Sequence, residues 1–132
     1  MEAVQRLDNG EIKIADEVIA TIAGLAATDI KGVAGMSGDI VGDIAEILGK
    51  RNLSKGVKVD IDEKGAKIDL YLIVEYGTRI PDVAWQTQDK VKASIQNMTN
   101  LNVLEVNIHI QGVRFPKEKE EEKKPQNTQN TK

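Results

Sequence analysis

Apolar and polar positions change period several times along this 132-residue chain, and those changes divide it into elements. The stretch "GEIKIADEVIATIAGLAATDIKGV" predicts a short extended piece followed by a helix, with Asp16 as N-cap and Glu17 near the positive end of the helix dipole. Val18, Ile22, Leu25 and Ala26 are its expected apolar stripe, and the helix is expected to end before Lys31 and Gly32. In "GVAGMSGDIVGDIAEILGKRN" the glycine-rich start reads as a flexible connector. Ser37 or Asp39 then caps a second helix with Ile40, Ile44, Ile47 and Leu48 on one face, stopped at Gly49.

From Gly56 the period becomes two. Val57, Val59 and Ile61 alternate with Lys58, Asp60 and Asp62, "DEKGAK" makes a turn, and Ile68, Leu70, Leu72 and Val74 form the inner face of a second strand. Its outer face carries Asp69, Tyr71, Ile73 and Glu75. Gly77 ends the strand and Pro81 opens a third helix, where its missing N–H costs nothing. The expected stripe there is Ala84, Gln88, Val91, Ile95 and Met98, with Gln88 as a polar irregularity. In the last strand, "VLEVNIHIQGV", Leu104, Val106, Ile108 and Ile110 are expected inward, and Glu105, Asn107, His109 and Gln111 outward.

Three amphipathic strands need only one covered face, so the pattern predicts an α+β fold with helices packed on one side of a small sheet. The core order is αββαβ-like, preceded by an additional N-terminal helix. Residues 1–115 form the expected domain, and the charged and polar segment 116–132, which lacks an apolar anchor, is expected to be a disordered tail.

Charge and composition then narrow the chemistry. Residues 1–115 carry 13 basic and 17 acidic side chains, a balance that disfavours a nonspecific grip on phosphate backbones, so nucleic acid is not an expected partner. The chain has no cysteine, which excludes disulfides, thiolate nucleophiles and cysteine-bound metals, and no cofactor or metal is expected. The start has no signal-peptide core and no apolar run is long enough to cross a bilayer, so the expected location is cytoplasmic, with any membrane contact made through a partner.

Candidate sites are sparse. The glycines of "GVAGMSGD" match neither the P-loop nor the dinucleotide fingerprint, and Asp39 would repel a phosphate. Asp60, Asp62 and Glu63 lack the calcium-loop spacing and mark a polar turn. His109, the single histidine, has no nucleophile or carboxylate that the sequence brings into contact, and reads as a solvated strand position. Trp85 lies one position beyond the apolar stripe. Its expected place is the edge of the core, the alternative being an exposed anchor for another protein.

The run "VEYGTRIPDVAWQTQDKVKASIQNMTNLNVLEVNIHIQGVRF", Val74 to Phe115, closely resembles the alkaline shock protein and envelope stress response family of Gram-positive bacteria. "GEIKIADEVIATIAGLAATDIKGVAGM" resembles the opening block of the same family, so the likeness spans roughly residues 8–115. A glycine commonly follows the threonine of "MTN" in that family. Here the position is Asn100, which tolerates positive φ and so marks a helix terminus.

The resemblance implies a cytoplasmic protein of envelope homeostasis and stress, with no catalytic residues to carry over. It implies a non-enzymatic scaffold or adaptor that self-associates as a homo-oligomer and docks a membrane-anchoring or metabolic protein. The alternative is regulation of a metabolic enzyme such as acetyl-CoA carboxylase. Topology alone is also similar to ring-building αββαβ modules of spore assembly and to RNA-binding KH domains, but the acidic body and the lack of a basic GXXG loop disfavour RNA. The candidate partner-binding surfaces are the open sheet face (Tyr71, Ile73, Asn107, His109) and the helix-entry segment (Tyr76, Arg79, Trp85).

Overall fold

The computed structural model describes residues 3–38 and 54–116. The second predicted helix, with Ile40 to Leu48, and the predicted tail beyond residue 116 lie outside the described residues.

The chain opens with a hairpin, β1 (Ala3–Leu7) and β2 (Gly10–Ile14), where only a short extended piece was expected. Leu7 pairs with Gly10, so Asp8 and Asn9 form a two-residue turn of polar turn-forming residues, and Gly10 leaves it with a φ of 145°. The hairpin is tied to the body through the buried Ala3 and through the Gln5 amide, which donates to the Thr99 carbonyl.

Helix α1 (Asp16–Thr28) starts with Ala15 as N-cap and no side-chain cap, so Asp16 is its first residue and acts, with Glu17, through the dipole. Its buried face comprises Ile19, Ala20, Ile22, Ala23, Gly24, Ala26 and Ala27. Val18 and Leu25, expected in the stripe, are exposed. Small residues occupy most of the true face, so a reading weighted toward large apolar side chains set the stripe off-phase.

The connector expected at "GVAGM" is instead strand β3 (Val33–Met36). Two glycines and an alanine hide its period, yet Val33 and Met36 are buried and pair with Val74 and Leu72. Strands β4 (Val57–Asp62) and β5 (Gly65–Glu75) form the expected hairpin. Asp62 closes its turn by accepting the backbone N–H of Lys64 and of Gly65 at 2.8 and 3.2 Å.

Helix α2 (Ile80–Thr99) begins at Ile80 with Pro81 in its first turn, and ends at Asn100, whose φ of 61° is left-handed as the sequence suggested. Its buried residues are Val83, Thr87, Val91, Ile95 and Thr99, four apart throughout. Val91 and Ile95 were expected there, whereas Met98 and Gln88 are exposed and Ala84 is half-buried. Two threonines supply the missing positions because each hydroxyl donates to a carbonyl one turn back, Thr87 to Val83 at 2.7 Å and Thr99 to Ile95 at 2.6 Å.

Strand β6 (Val103–Arg114) closes the fold. β4 pairs antiparallel with the first half of β5 and β3 with its second half, while β6 runs parallel along the other edge. Parallel pairing needs a crossover, which α2 provides. The ladder skips Leu104 near its start, pairing Ala66 with Val103 and Lys67 with Glu105. Leu104, expected inward, is therefore an exposed bulge residue, and Val103 is buried in its place. Both helices cover one face, where Ile68, Leu70 and Leu72 have no exposed surface. The opposite face is open, so the α+β arrangement with helices on one side of the sheet is the fold of the described residues.

Candidate interaction surfaces

On the open face the β5–β6 register sets Tyr71 beside His109 and Asp69 beside Asn107. The Tyr71 and His109 rings stack with centroids 4.4 Å apart and planes 10° from parallel. His109 Nε2 lies 3.0 Å from Asp69 Oδ1, both side chains being about one-third exposed. Lys58 Nζ sits 6.0 Å from the Tyr71 ring centroid, and Lys67 approaches Glu105 at 3.9 Å. Ile73 continues the row half-buried, opposite Gly112.

The four residues expected on this face therefore share it. The carboxylate that meets His109 is Asp69, which the sequence could not reveal without the parallel register. The pair fixes an imidazole and adds a stacked phenol, but no Ser, Thr or Cys stands beside it in the paired rows to serve as a nucleophile. Among the described residues no group of three or more His, Asp or Glu could hold a metal ion.

The helix-entry residues are not one cluster. Tyr76 stacks on Phe115, with centroids 5.0 Å apart, and Arg79 Nε donates to Asp82 Oδ2 at 3.1 Å in its own helix turn. Trp85 stands further along α2. It is 63% exposed rather than tucked at the core edge, and Tyr76 and Phe115 are 65% and 58% exposed.

Gln88, the irregularity in the expected stripe, has a role at the sheet edge. Its Nε2 donates to the Val106 carbonyl at 3.0 Å, and Gln96 Oε1 accepts the Val103 N–H at 3.2 Å. Two glutamines of α2 thus occupy backbone groups on the outer edge of β6. On the other flank of α2, an open groove of about 450 Å³ separates it from α1. Ile22, Leu25 and Met98 line it, with the Lys90–Asp29 ion pair of 3.0 Å at one end.

The pattern that defines the alkaline shock protein 23 family, described as having a cell envelope-related function, matches residues 5–115. The chain belongs to that family. It is 45% identical to YqhY of Bacillus subtilis over 80% of this chain and 78% of that protein. It is equally identical, 45%, to YloU of the same organism, over 83% of this chain and 92% of YloU. A Streptococcus pyogenes protein named as a gls24 stress response regulator homologue is 27% identical, over 86% of this chain and 64% of its own length. The solved MamM C-terminal domain superposes on 73% of this chain with a TM-score of 0.45 and 11% identity, a likeness that supports no functional reading. Family membership agrees with the resemblance read from "YGTRIPDVAWQTQDKV" and its flanks. No helix among the described residues is long and apolar enough to cross a membrane.

Proposed function

We propose that this protein is a non-enzymatic scaffold or adaptor within the envelope-related function of its family, working through protein–protein contact and self-association. One observation carries the reading: of the four aromatic residues in the chain, Trp85, Tyr76 and Phe115 are more than half exposed. A chain so poor in aromatics would gain most by burying them, yet it presents them on the surface. Trp and Tyr dominate binding hot spots because one ring buries a large area at low entropic cost. Covering Trp85 gains on the order of 3 kcal/mol gross from the area removed from water. The partner proposed is a membrane-anchoring or metabolic protein, which would hold the chain at the cytoplasmic side of the membrane without insertion.

Affinity capture from the native host with the wild-type chain, Trp85→Ala and Tyr76→Ala provides the test. Trp85→Ala is expected to weaken the specific partner by about 2 kcal/mol, some thirtyfold, with an unchanged circular dichroism spectrum. Equal recovery of every partner by the wild type and both variants would reject the aromatic surface as the docking site.

A further inference from the structure

We infer that two copies of this chain pair through the outer edge of β6, antiparallel about a two-fold axis at His109, to form one continuous sheet. The inference rests on the self-association reading above and assigns that association a surface.

Backbone direction identifies which groups are free. Tyr71 of β5 uses both its N–H and its C=O on the β3–β4 side, toward Ser37 and Gly56, whereas Ala66 and Tyr76 donate to Asn102 and Arg114 on the β6 side. Alternation along a strand then turns Ile68, Leu70 and Leu72 toward β6, where they engage Glu105, Asn107 and His109. Val106, Ile108 and Ile110 therefore point their backbone groups away from β5. The Gln88 bond to the Val106 carbonyl agrees. Among the described residues no strand lies along that edge. Gln96 and Gln88 occupy Val103 N–H and Val106 C=O, and among the described residues nothing else meets the N–H and C=O of Ile108 and Ile110.

That unpaired set is self-complementary. An axis through His109 places Ile108 opposite Ile110 of the second copy, and the reverse, which gives about four backbone hydrogen bonds. The Gln96 contact stays intact in this register, while the Gln88 amide shares the Val106 carbonyl with the N–H of Val113 of the second copy. Natural edge strands are commonly protected by charge, but residues 106–113 contain no Lys, Arg, Asp or Glu. A net acidic chain meets its own copy at least cost where its charge is absent.

The charges that bound this neutral stretch also match. The ladder skips Gln111, pairing Leu72 with Ile110 and Ile73 with Gly112, so the strand beyond shifts by one residue. Carried through that bulge, the register sets Val106 opposite the exposed Val113 of the second copy, and Glu105 opposite its Arg114. Both of these charges face the open side, where Glu105 approaches Lys67 at 3.9 Å and Arg114 Nη2 donates to the Ala34 carbonyl of β3 at 2.9 Å. Pairing across the axis exchanges these contacts for the one between Glu105 and Arg114 of the second copy.

Side-chain cover points to the same edge. Gln88 meets Val106 while Gln96 meets Val103, so α2 runs antiparallel to β6, and Trp85, three residues before Gln88 on the same helix face, lies toward the Ile108 end of that strand. Ile108 and Ile110 are only half-buried, whereas Leu70 and Leu72 beside them on β5 are fully buried. A second copy would bring its own Trp85 across the axis and cover them. On the open face the two His109 residues would meet at roughly 4.5 Å between Cα atoms.

Sedimentation velocity over a concentration series tests the inference with the full chain, its Glu105→Arg and Arg114→Glu variants and the double variant. Each single change sets like charges opposite one another twice and is expected to weaken the dimer by about tenfold or more, and the double swap to restore it. A second readout needs no variant: the Ile108 and Ile110 amides should gain protection from hydrogen exchange as the dimer forms. Dimerisation that ignores the charge swap and leaves both amides unprotected would overturn the β6 edge while leaving self-association standing. A wild type that stays monomeric at every concentration would remove both.

Discussion

Gln88 and Thr87 are neighbours on α2 whose roles reverse the reading their polarity invites. Thr87 is fully buried, with its hydroxyl spent on Val83 O, while Gln88 lies outside the core and holds a strand-edge carbonyl. Replacing Gln88 by leucine would complete the apolar stripe drawn from the sequence. Structurally it removes a hydrogen bond to Val106 and places a bare apolar side chain beside a sheet edge. Gln88→Leu is expected to lower stability by about 1 kcal/mol in urea denaturation and to raise light scattering on heating. Thr87→Val keeps the shape and removes a donor already paired within its helix, so its change should stay within about 1 kcal/mol. A more stable, equally soluble Gln88→Leu protein would contradict the edge-capping role. Sequence periodicity counts apolar atoms and is blind to a hydroxyl satisfied by its own helix, so it finds Val91 and Ile95 but puts Gln88 and Met98 where Thr87 and Thr99 are buried.

At the scale of elements, the β4–β5 turn and the α2–β6 link hold each other in place. The Asn102 amide donates to Lys64 O at 3.0 Å, and its carbonyl accepts from Ala66 at 2.8 Å. Gly65 lets this happen, because a Cβ there would lie 2.3 Å from Asn102 O and the residue's φ is +149°. Gly65→Ala must move backbone rather than a side chain, so a loss of about 2–3 kcal/mol is expected from thermal and denaturant unfolding. A loss below about 0.5 kcal/mol would mean that the turn and the link are not coupled. The turn itself was legible from "DEKG", as were β4, β5, α2 and most of β6, because large β-branched and aliphatic residues recur there at a clear period. The β1–β2 hairpin and β3 were not. Their signal is carried by Asp8-Asn9-Gly10 and by Val33 and Met36 around small residues, and pairing with distant strands supplies what local pattern lacks. The candidate surface was half legible. Alternation placed Tyr71, Ile73, Asn107 and His109 on one face, but the His109–Asp69 contact depends on residues 40 positions apart meeting in a parallel ladder.

Across the whole molecule, the sheet is a boundary between a closed apolar layer and an open polar one, and adjacent residues of β5 report on each side. Leu72 has no exposed surface and packs under the helices, whereas Ile73 is half-buried on the face with Tyr71. Leu72→Ala is expected to cost about 3 kcal/mol through lost burial and the cavity left behind. Ile73→Ala should cost under about 1 kcal/mol at low protein concentration, since much of its side chain already meets water. Urea unfolding of both variants at two concentrations also separates intrinsic stability from association. Pairing along the β6 edge extends the sheet sideways and leaves its open face uncovered. Ile73→Ala should therefore remain mild when the protein is concentrated, even if overall stability rises with dimer formation. An Ile73→Ala penalty that climbs with concentration toward that of Leu72→Ala would instead place the second copy against the open face, on Tyr71 and His109. The same outcome would argue against the edge register centred on His109.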